Sequence, residues 1–139
     1  MHFPQVHYLA VLAAGLAIFV LGGLWYSPAL FAKRWMSLQG VTEEELKAKS
    51  QGSMPLLYVQ AFISGLVIAW AMAVMLNHFV DLTLLRAALV GVLCWVGFAA
   101  ATSYASAIFS QKPKLLWLID SGFNLVSFVI AGIILAAWR

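Results

Sequence analysis

The sequence predicts an all-α, polytopic membrane protein, a bundle of four transmembrane helices with a short interfacial helix between helices 1 and 2. Two observations support this fold class. The 139 residues are 64% hydrophobic and only 9% charged, whereas a soluble domain carries about 25% charged residues. The chain also contains four apolar segments, each long enough to cross a hydrocarbon core that requires roughly 20 helical residues.

The four segments belong to one predicted integral membrane domain, residues 1–139. Helices are expected because backbone groups in lipid must pair within their own segment, and the apolar runs are too long for barrel strands. No Lys or Arg precedes the first segment, so we expect a retained span and not a cleaved signal peptide. The predicted spans are about 6–26, 56–79, 84–109 and 115–138.

Basic residues are concentrated on one side of the predicted membrane. That side carries Lys33, Arg34, Lys47, Lys49, Lys112 and Lys114, and the other side carries Arg86 and Arg139. By the positive-inside rule, both basic loops are predicted to be cytoplasmic, and both termini are predicted to lie on the outer side of the cell (inner) membrane. The net charge of +3 is therefore interpreted as a topology signal, and no nucleic-acid partner is predicted.

The connection 27–55 is the only long one between spans. Ser27 is a good N-cap and Pro28 a good first helical residue, so a helix is predicted to start there and lie in the interface. Gly40 is expected to end it. The residues from Thr42 to Glu45 have the pattern of a capping box for a second short helix. The apolar face of the interfacial helix would comprise Leu30, Phe31, Trp35 and Leu38.

The end of the first span resembles the signature of a small four-helix membrane family catalogued as domain of unknown function 1761. The residues that carry the resemblance are Leu21-Gly22-Gly23-Leu24-Trp25-Tyr26-Ser27-Pro28-Ala29-Leu30-Phe31, Lys33, Trp35-Met36, Trp95, Gly97-Phe98, Asn124 and the ending from Gly132 to Trp138. The resemblance covers essentially the whole chain, and its specific part is the motif Trp25, Tyr26, Ser27 and Pro28. It implies a multi-pass membrane protein without an assigned activity and supplies no catalytic residue.

Asp120 is the strongest candidate for a functional residue. It lies inside the fourth span, where a carboxylate costs several kcal/mol unless it is paired, protonated or hydrated. Polar residues on three spans, together with the exit of the first, predict an intramembrane ligand pocket formed by Asp120, Asn124, Gln60, Ser64, Ser106, Ser110 and Tyr26. Two alternatives stay open: the polar residues only bond helices together, or Asp120 pairs with Lys112, Lys114 or Arg34.

The WYSP motif also allows two interpretations. Trp25 and Tyr26 fit an aromatic belt at a helix stop. Alternatively, Tyr26 hydrogen-bonds into the polar cluster, because it leaves the membrane on the same side as Asp120.

Histidines suggest a weaker site. His7 and His78 fall at similar depth on the outer side, but nothing in the sequence fixes the distance between them, and a metal or haem would need them to converge. No metal and no cofactor are predicted. We find no catalytic motif, and we predict that the protein is not an enzyme.

Small residues recur at helical spacing in three of the spans. They allow close helix contacts, either within one bundle or between copies in a homo-oligomer, and the sequence does not distinguish these. The stripes are Gly65, Ala69 and Ala73; Ala99, Ser103 and Ala107; and Gly15 with Gly22.

The predicted function is binding or transport of a lipid or small amphipathic molecule through the polar pocket around Asp120. The alternative is an accessory or assembly subunit of a larger membrane complex. An enzyme that acts on a membrane lipid ranks third.

Overall fold

A computed structural model describes residues 5–49 and 53–139, and this part of the chain is helical with short connections and no strand. Its helices are α1 (Tyr8–Trp25), α2 (Ala32–Gln39), α3 (Glu43–Lys49), α4 (Met54–Leu76), α5 (Leu84–Cys94), α6 (Ala101–Phe109) and α7 (Lys114–Ala137). A π-helical segment, Trp95–Ala100, joins α5 to α6 in one continuous rod. Four helices, α1, α4, this rod and α7, are long and apolar enough to cross a membrane. The predicted all-α class with four spans is confirmed.

Two of the predicted caps are confirmed, and Thr83 adds a third. Gly40 ends α2 in the left-handed conformation, with φ 69°. The Thr42 hydroxyl accepts the Glu45 backbone N–H (3.1 Å) at the start of α3, and Thr83 does the same for Arg86 (3.1 Å) at the start of α5. Such bonds satisfy N–H groups that a helix leaves without a partner in its first turn.

The predicted start of the interfacial helix at Pro28 is wrong. The Ser27 carbonyl accepts the N–H groups of Leu30 (3.0 Å) and Ala32 (3.2 Å), which closes a tight turn in place of the first helical turn. Helix α2 therefore begins at Ala32. The second span also differs slightly from 56–79: it runs from Met54 to Leu76, with Pro55 in its first turn, where a missing N–H costs nothing.

Helix α7 lies at the centre of the fold. It packs against α1, α4 and α5, and α1 also packs along α4. The third span contacts α4 only slightly and is therefore attached to the bundle through α7. We call the end with residues 26–49, 53 and 110–113 the loop end, and the end with residues 5–7, 77–83 and 138–139 the terminal end.

Glycines lie at two close helix crossings. A Cβ atom on Gly91 would lie 2.7 Å from the Phe128 carbonyl oxygen, and one on Gly132 would lie 2.7 Å from that of Ala87. Backbones of α5 and α7 thus touch directly. Between α1 and α4, a Cβ on Gly65 would lie 3.2 Å from the Gly15 carbonyl oxygen. Small-residue packing of this kind joins helices where lipid provides no hydrophobic drive.

The stripe Gly65, Ala69 and Ala73 is buried inside the bundle. Its contacts within a single chain explain these small residues without a second copy. On the third span, Ala107 is buried against the bundle, and Ser103 is half-buried.

Candidate functional site

The WYSP motif reverses the chain at the loop end. The Phe31 N–H donates to the Trp25 carbonyl (3.1 Å), and the Ser27 hydroxyl donates to the Leu24 carbonyl (2.7 Å). These bonds cap the last carbonyls of α1 and fold the turn back on it. As a result, α2 lies beside the first half of α7.

Asp120 accepts two side-chain hydrogen bonds from this reversed segment. Its Oδ1 atom accepts the Tyr26 hydroxyl (2.7 Å) and the Trp35 indole N–H (3.1 Å). One residue earlier, the Ile119 carbonyl accepts the Trp25 indole N–H (2.9 Å). Helix α7 is thus bonded to both ends of the turn, through α1 at Trp25 and Tyr26 and through α2 at Trp35.

Aromatic rings surround these bonds. Tyr26 lies edge-on to Trp35 (centroids 5.7 Å apart) and to Phe123 (5.6 Å), and Trp25 contacts Phe31 (4.9 Å). Ring pairs in such tilted geometries stabilise a fold beyond the contribution of the apolar area that they bury. We call the set Trp25, Tyr26, Phe31, Trp35, Asp120 and Phe123 the Asp120 cluster.

Among residues 5–49 and 53–139, no cationic side chain forms an ion pair with Asp120. In the described ranges, the only ion pair joins Glu43 and Lys47 in α3, so the predicted alternative of a bond to Lys112, Lys114 or Arg34 is not formed. Both donors to the carboxylate are neutral. Tyr26 lies just beyond the last residue of the first span, and its burial, together with the bond to Asp120, raises the pKa of its hydroxyl, so it stays a donor at neutral pH.

The structure brings two of the seven predicted pocket residues, Tyr26 and Asp120, into direct contact. Asn124 lies one turn further along α7 and is half-buried. Ser64 donates to the Gln60 carbonyl of its own helix (2.9 Å), and both side chains are exposed on α4. Ser106 and Ser110 are exposed at the end of the third span.

Tryptophans contribute more to this region than the sequence indicated. Trp95 in the π-helical segment donates its indole N–H to the Ser121 carbonyl (2.8 Å), and Trp117 donates to the Ser103 hydroxyl (3.0 Å). With the bonds of Trp25 and Trp35, four indoles join the first half of α7 to α1, to the third span and to α2. Of these four, the sequence predicts only Trp25 in an aromatic belt and places Trp35 on the apolar face of the interfacial helix.

The histidines are engaged within their own helices. His7 Nδ1 accepts the Ala10 N–H (3.1 Å) as the N-cap of α1, and His78 Nδ1 lies 2.8 Å from the Val74 carbonyl. Across residues 5–49 and 53–139, no group of three or more His, Cys, Asp or Glu side chains is arranged to hold a metal ion.

Comparison with known proteins gives a single identification. Searches against curated proteins and against solved structures found no match. A family model described as "Protein of unknown function (DUF1761)" matches residues 9–136, which include all four spans except one residue at each end. With four helices that are long and apolar enough to cross a membrane, the chain therefore belongs to the DUF1761 family.

Proposed function

We propose that this protein binds an amphipathic molecule with an ammonium group, and that Asp120 is the counter-ion. The observation that carries the proposal is a half-buried carboxylate within a membrane span that has no cationic partner among the described residues. Ionisable groups inside membrane spans are costly and are functional candidates by default. A bound cation would supply the positive charge that compensates the Asp120 carboxylate.

The surroundings of the carboxylate favour an organic cation. Tyr26 and Trp35 hold Oδ1 in a fixed orientation, and neither of their bonds occupies Oδ2. The rings of the cluster offer π faces, which attract ammonium groups most strongly where water is excluded. The cluster lies about one and a half turns from the start of α7, so an apolar tail could remain in the bilayer while the head reaches Asp120.

The first test is binding of radiolabelled dodecyltrimethylammonium to the protein in nanodiscs of neutral lipid, measured by equilibrium dialysis against empty nanodiscs. Asp120→Asn removes the charge but keeps an oxygen that can accept the bonds of Tyr26 and Trp35. We expect the affinity to fall roughly ten- to hundredfold, the equivalent of about 1.5–3 kcal/mol for a bond to a charged group.

Asp81→Asn is the matched control, because it removes the same charge from an exposed position at the terminal end. Its affinity should equal that of the unchanged protein. Equal binding by the Asp120→Asn protein would overturn the proposal, and so would equal binding of uncharged dodecanol.

We further propose that the loop end faces the cytoplasm of the cell membrane, as the distribution of Lys and Arg predicts. Single cysteines at Gln39 and Leu82, introduced after Cys94→Ser, separate the two orientations. In intact cells, an impermeant maleimide should label the cysteine at position 82 and label position 39 only after lysis. The reverse pattern would contradict the orientation.

A second candidate function is favoured by the third span. It is the least buried of the four, with 22% of its apolar window inside the fold, and its exposed surface carries Thr102, Ser106 and Ser110. A partner helix from a larger membrane complex would cover these hydroxyls. Crosslinking through a photoreactive residue at Ser106 should then trap one defined polypeptide, and crosslinks to lipid alone would remove this candidate.

A further inference from the structure

A cavity at the terminal end provides a second, separate feature of the fold. Its volume is about 290 Å³, close to the lower limit for small-molecule sites. It lies where α1 begins and where α4 and α7 end, at the level expected for lipid headgroups. The lining residues are Gln5, Val6, His7, Ala10, Ala73, Leu76, Asn77, Leu82, Leu135, Trp138 and Arg139.

The lining is divided into an apolar floor and a rim of donors. Ala10, Ala73, Leu76 and Leu135 are at most 6% exposed and form the floor. The rim carries Arg139, His7, Asn77 and Trp138. The lining includes the Arg139 guanidinium and no Asp or Glu side chain, so the side-chain charge on the rim, above an apolar base, is positive.

Hydrogen bonds fix three of the four rim side chains and leave each of the three with a free donor. The Arg139 Nη2 donates to the Phe79 carbonyl (2.5 Å), and the Asn77 Nδ2 donates to the Gln5 carbonyl (2.6 Å). Because His7 Nδ1 accepts the Ala10 N–H, a neutral His7 carries its proton on Nε2. A guanidinium has five N–H donors and an amide has two, so each group retains capacity for a ligand.

We propose that this cavity binds the anionic head of an amphipathic molecule, a carboxylate or a phosphate, with its first methylene groups on the floor. Arg139 provides the positive charge, and its guanidinium can form charge-assisted hydrogen bonds with the anion, which are stronger than bonds between neutral groups. Asn77 and His7 provide further directional hydrogen bonds. The ring of Trp138 packs on His7 (centroids 5.3 Å apart) and holds the imidazole at the rim. This site is independent of the Asp120 cluster and selects the opposite charge.

The experiment compares three radiolabelled probes in nanodiscs of neutral lipid: laurate, a short-chain phosphatidylglycerol and dodecyltrimethylammonium. Arg139→Gln should weaken binding of the anionic probes at least about tenfold, as expected for loss of a charge-assisted bond. His7→Asn should weaken it less, because asparagine retains the N-cap role. Preference for laurate identifies a free carboxylate, and preference for the phospholipid identifies a lipid phosphate.

Arg86→Gln is the control, because Arg86 carries the same charge at the same end but lies outside the cavity lining. It should bind both anions like the unchanged protein. If the Arg86 and Arg139 variants lost equal affinity for the anions, general surface charge would explain the effect and the proposed site would be wrong. Unchanged binding after Arg139→Gln would also contradict the proposal. Asp120→Asn should leave anion binding unchanged, which separates this proposal from the one at the loop end.

Discussion

Alanine at Gly91 or Gly132 is expected to lower the free energy of unfolding by roughly 1–3 kcal/mol, the usual cost of overpacking. In each case the new methyl would lie 2.7 Å from a backbone carbonyl oxygen of the facing helix. A backbone atom cannot rotate away as a side chain can, so α5 and α7 must separate. The midpoint of unfolding by dodecyl sulfate, monitored by circular dichroism, measures the effect.

Gly97→Ala is the matched control for Gly91→Ala. Both glycines lie in the third span, but a Cβ on Gly97 meets nothing within 4 Å. Alanine has a better helix propensity than glycine by about 1 kcal/mol, so the control is expected to be as stable as the original protein or more stable. A Gly91→Ala protein that gains as much as the control would contradict the direct backbone contact.

Asp120→Ala is expected to detach α2 from α7 and to lower the free energy of unfolding by roughly 2 kcal/mol. The substitution leaves the Tyr26 hydroxyl and the Trp35 indole without their acceptor, and an orphaned donor costs about 1–3 kcal/mol. Both residues are half-buried and can still reach water, so the low end of that range applies. Trypsin cleavage after Lys33 and Arg34, both exposed on α2, should become faster.

Asp120→Asn keeps an acceptor at this position and should protect α2 nearly as well as the original carboxylate. A double-mutant cycle of Tyr26→Phe with Asp120→Ala measures the bond itself, with an expected coupling of about 1 kcal/mol. Strict additivity of the two substitutions would show that Tyr26 and Asp120 stabilise the fold separately. Equal cleavage of the Ala and Asn variants would also contradict the role of Asp120 as the anchor of α2.

The helices were predictable because their signals are local. Apolar length determines the spans, and caps such as Gly40, Thr42 and Thr83 act within a few residues of themselves. The contact of Tyr26 with Asp120 could also be predicted from the sequence, because both residues lie at the same end of their spans. The family resemblance rested on the same local segment, the WYSP motif.

The partners of Asp120 beyond Tyr26 depended on information that is not local. Trp35 reaches the carboxylate because α2 begins at Ala32, after a turn that the Ser-Pro pair suggested was already helix. Packing on α7 determines which face of the third span points into the bundle. That face includes Ala107, which is buried, and leaves the preceding Ser106 exposed. Periodicity shows which residues share a face, but it does not show which neighbour that face meets.

The central position of α7 has a consequence for the order in which the protein is made. Synthesis proceeds from the N-terminus, so α1 and α4 can pair at Gly15 and Gly65 while later spans are still on the ribosome. The third span finds its main partner only when the residues after Lys114 enter the bilayer. Until then Gly91 lacks the Phe128 backbone that it contacts, and the Trp95 indole has no Ser121 carbonyl to bond. Insertion of α7 therefore completes both the attachment of the third span and the hydrogen bonds of the turn after α1.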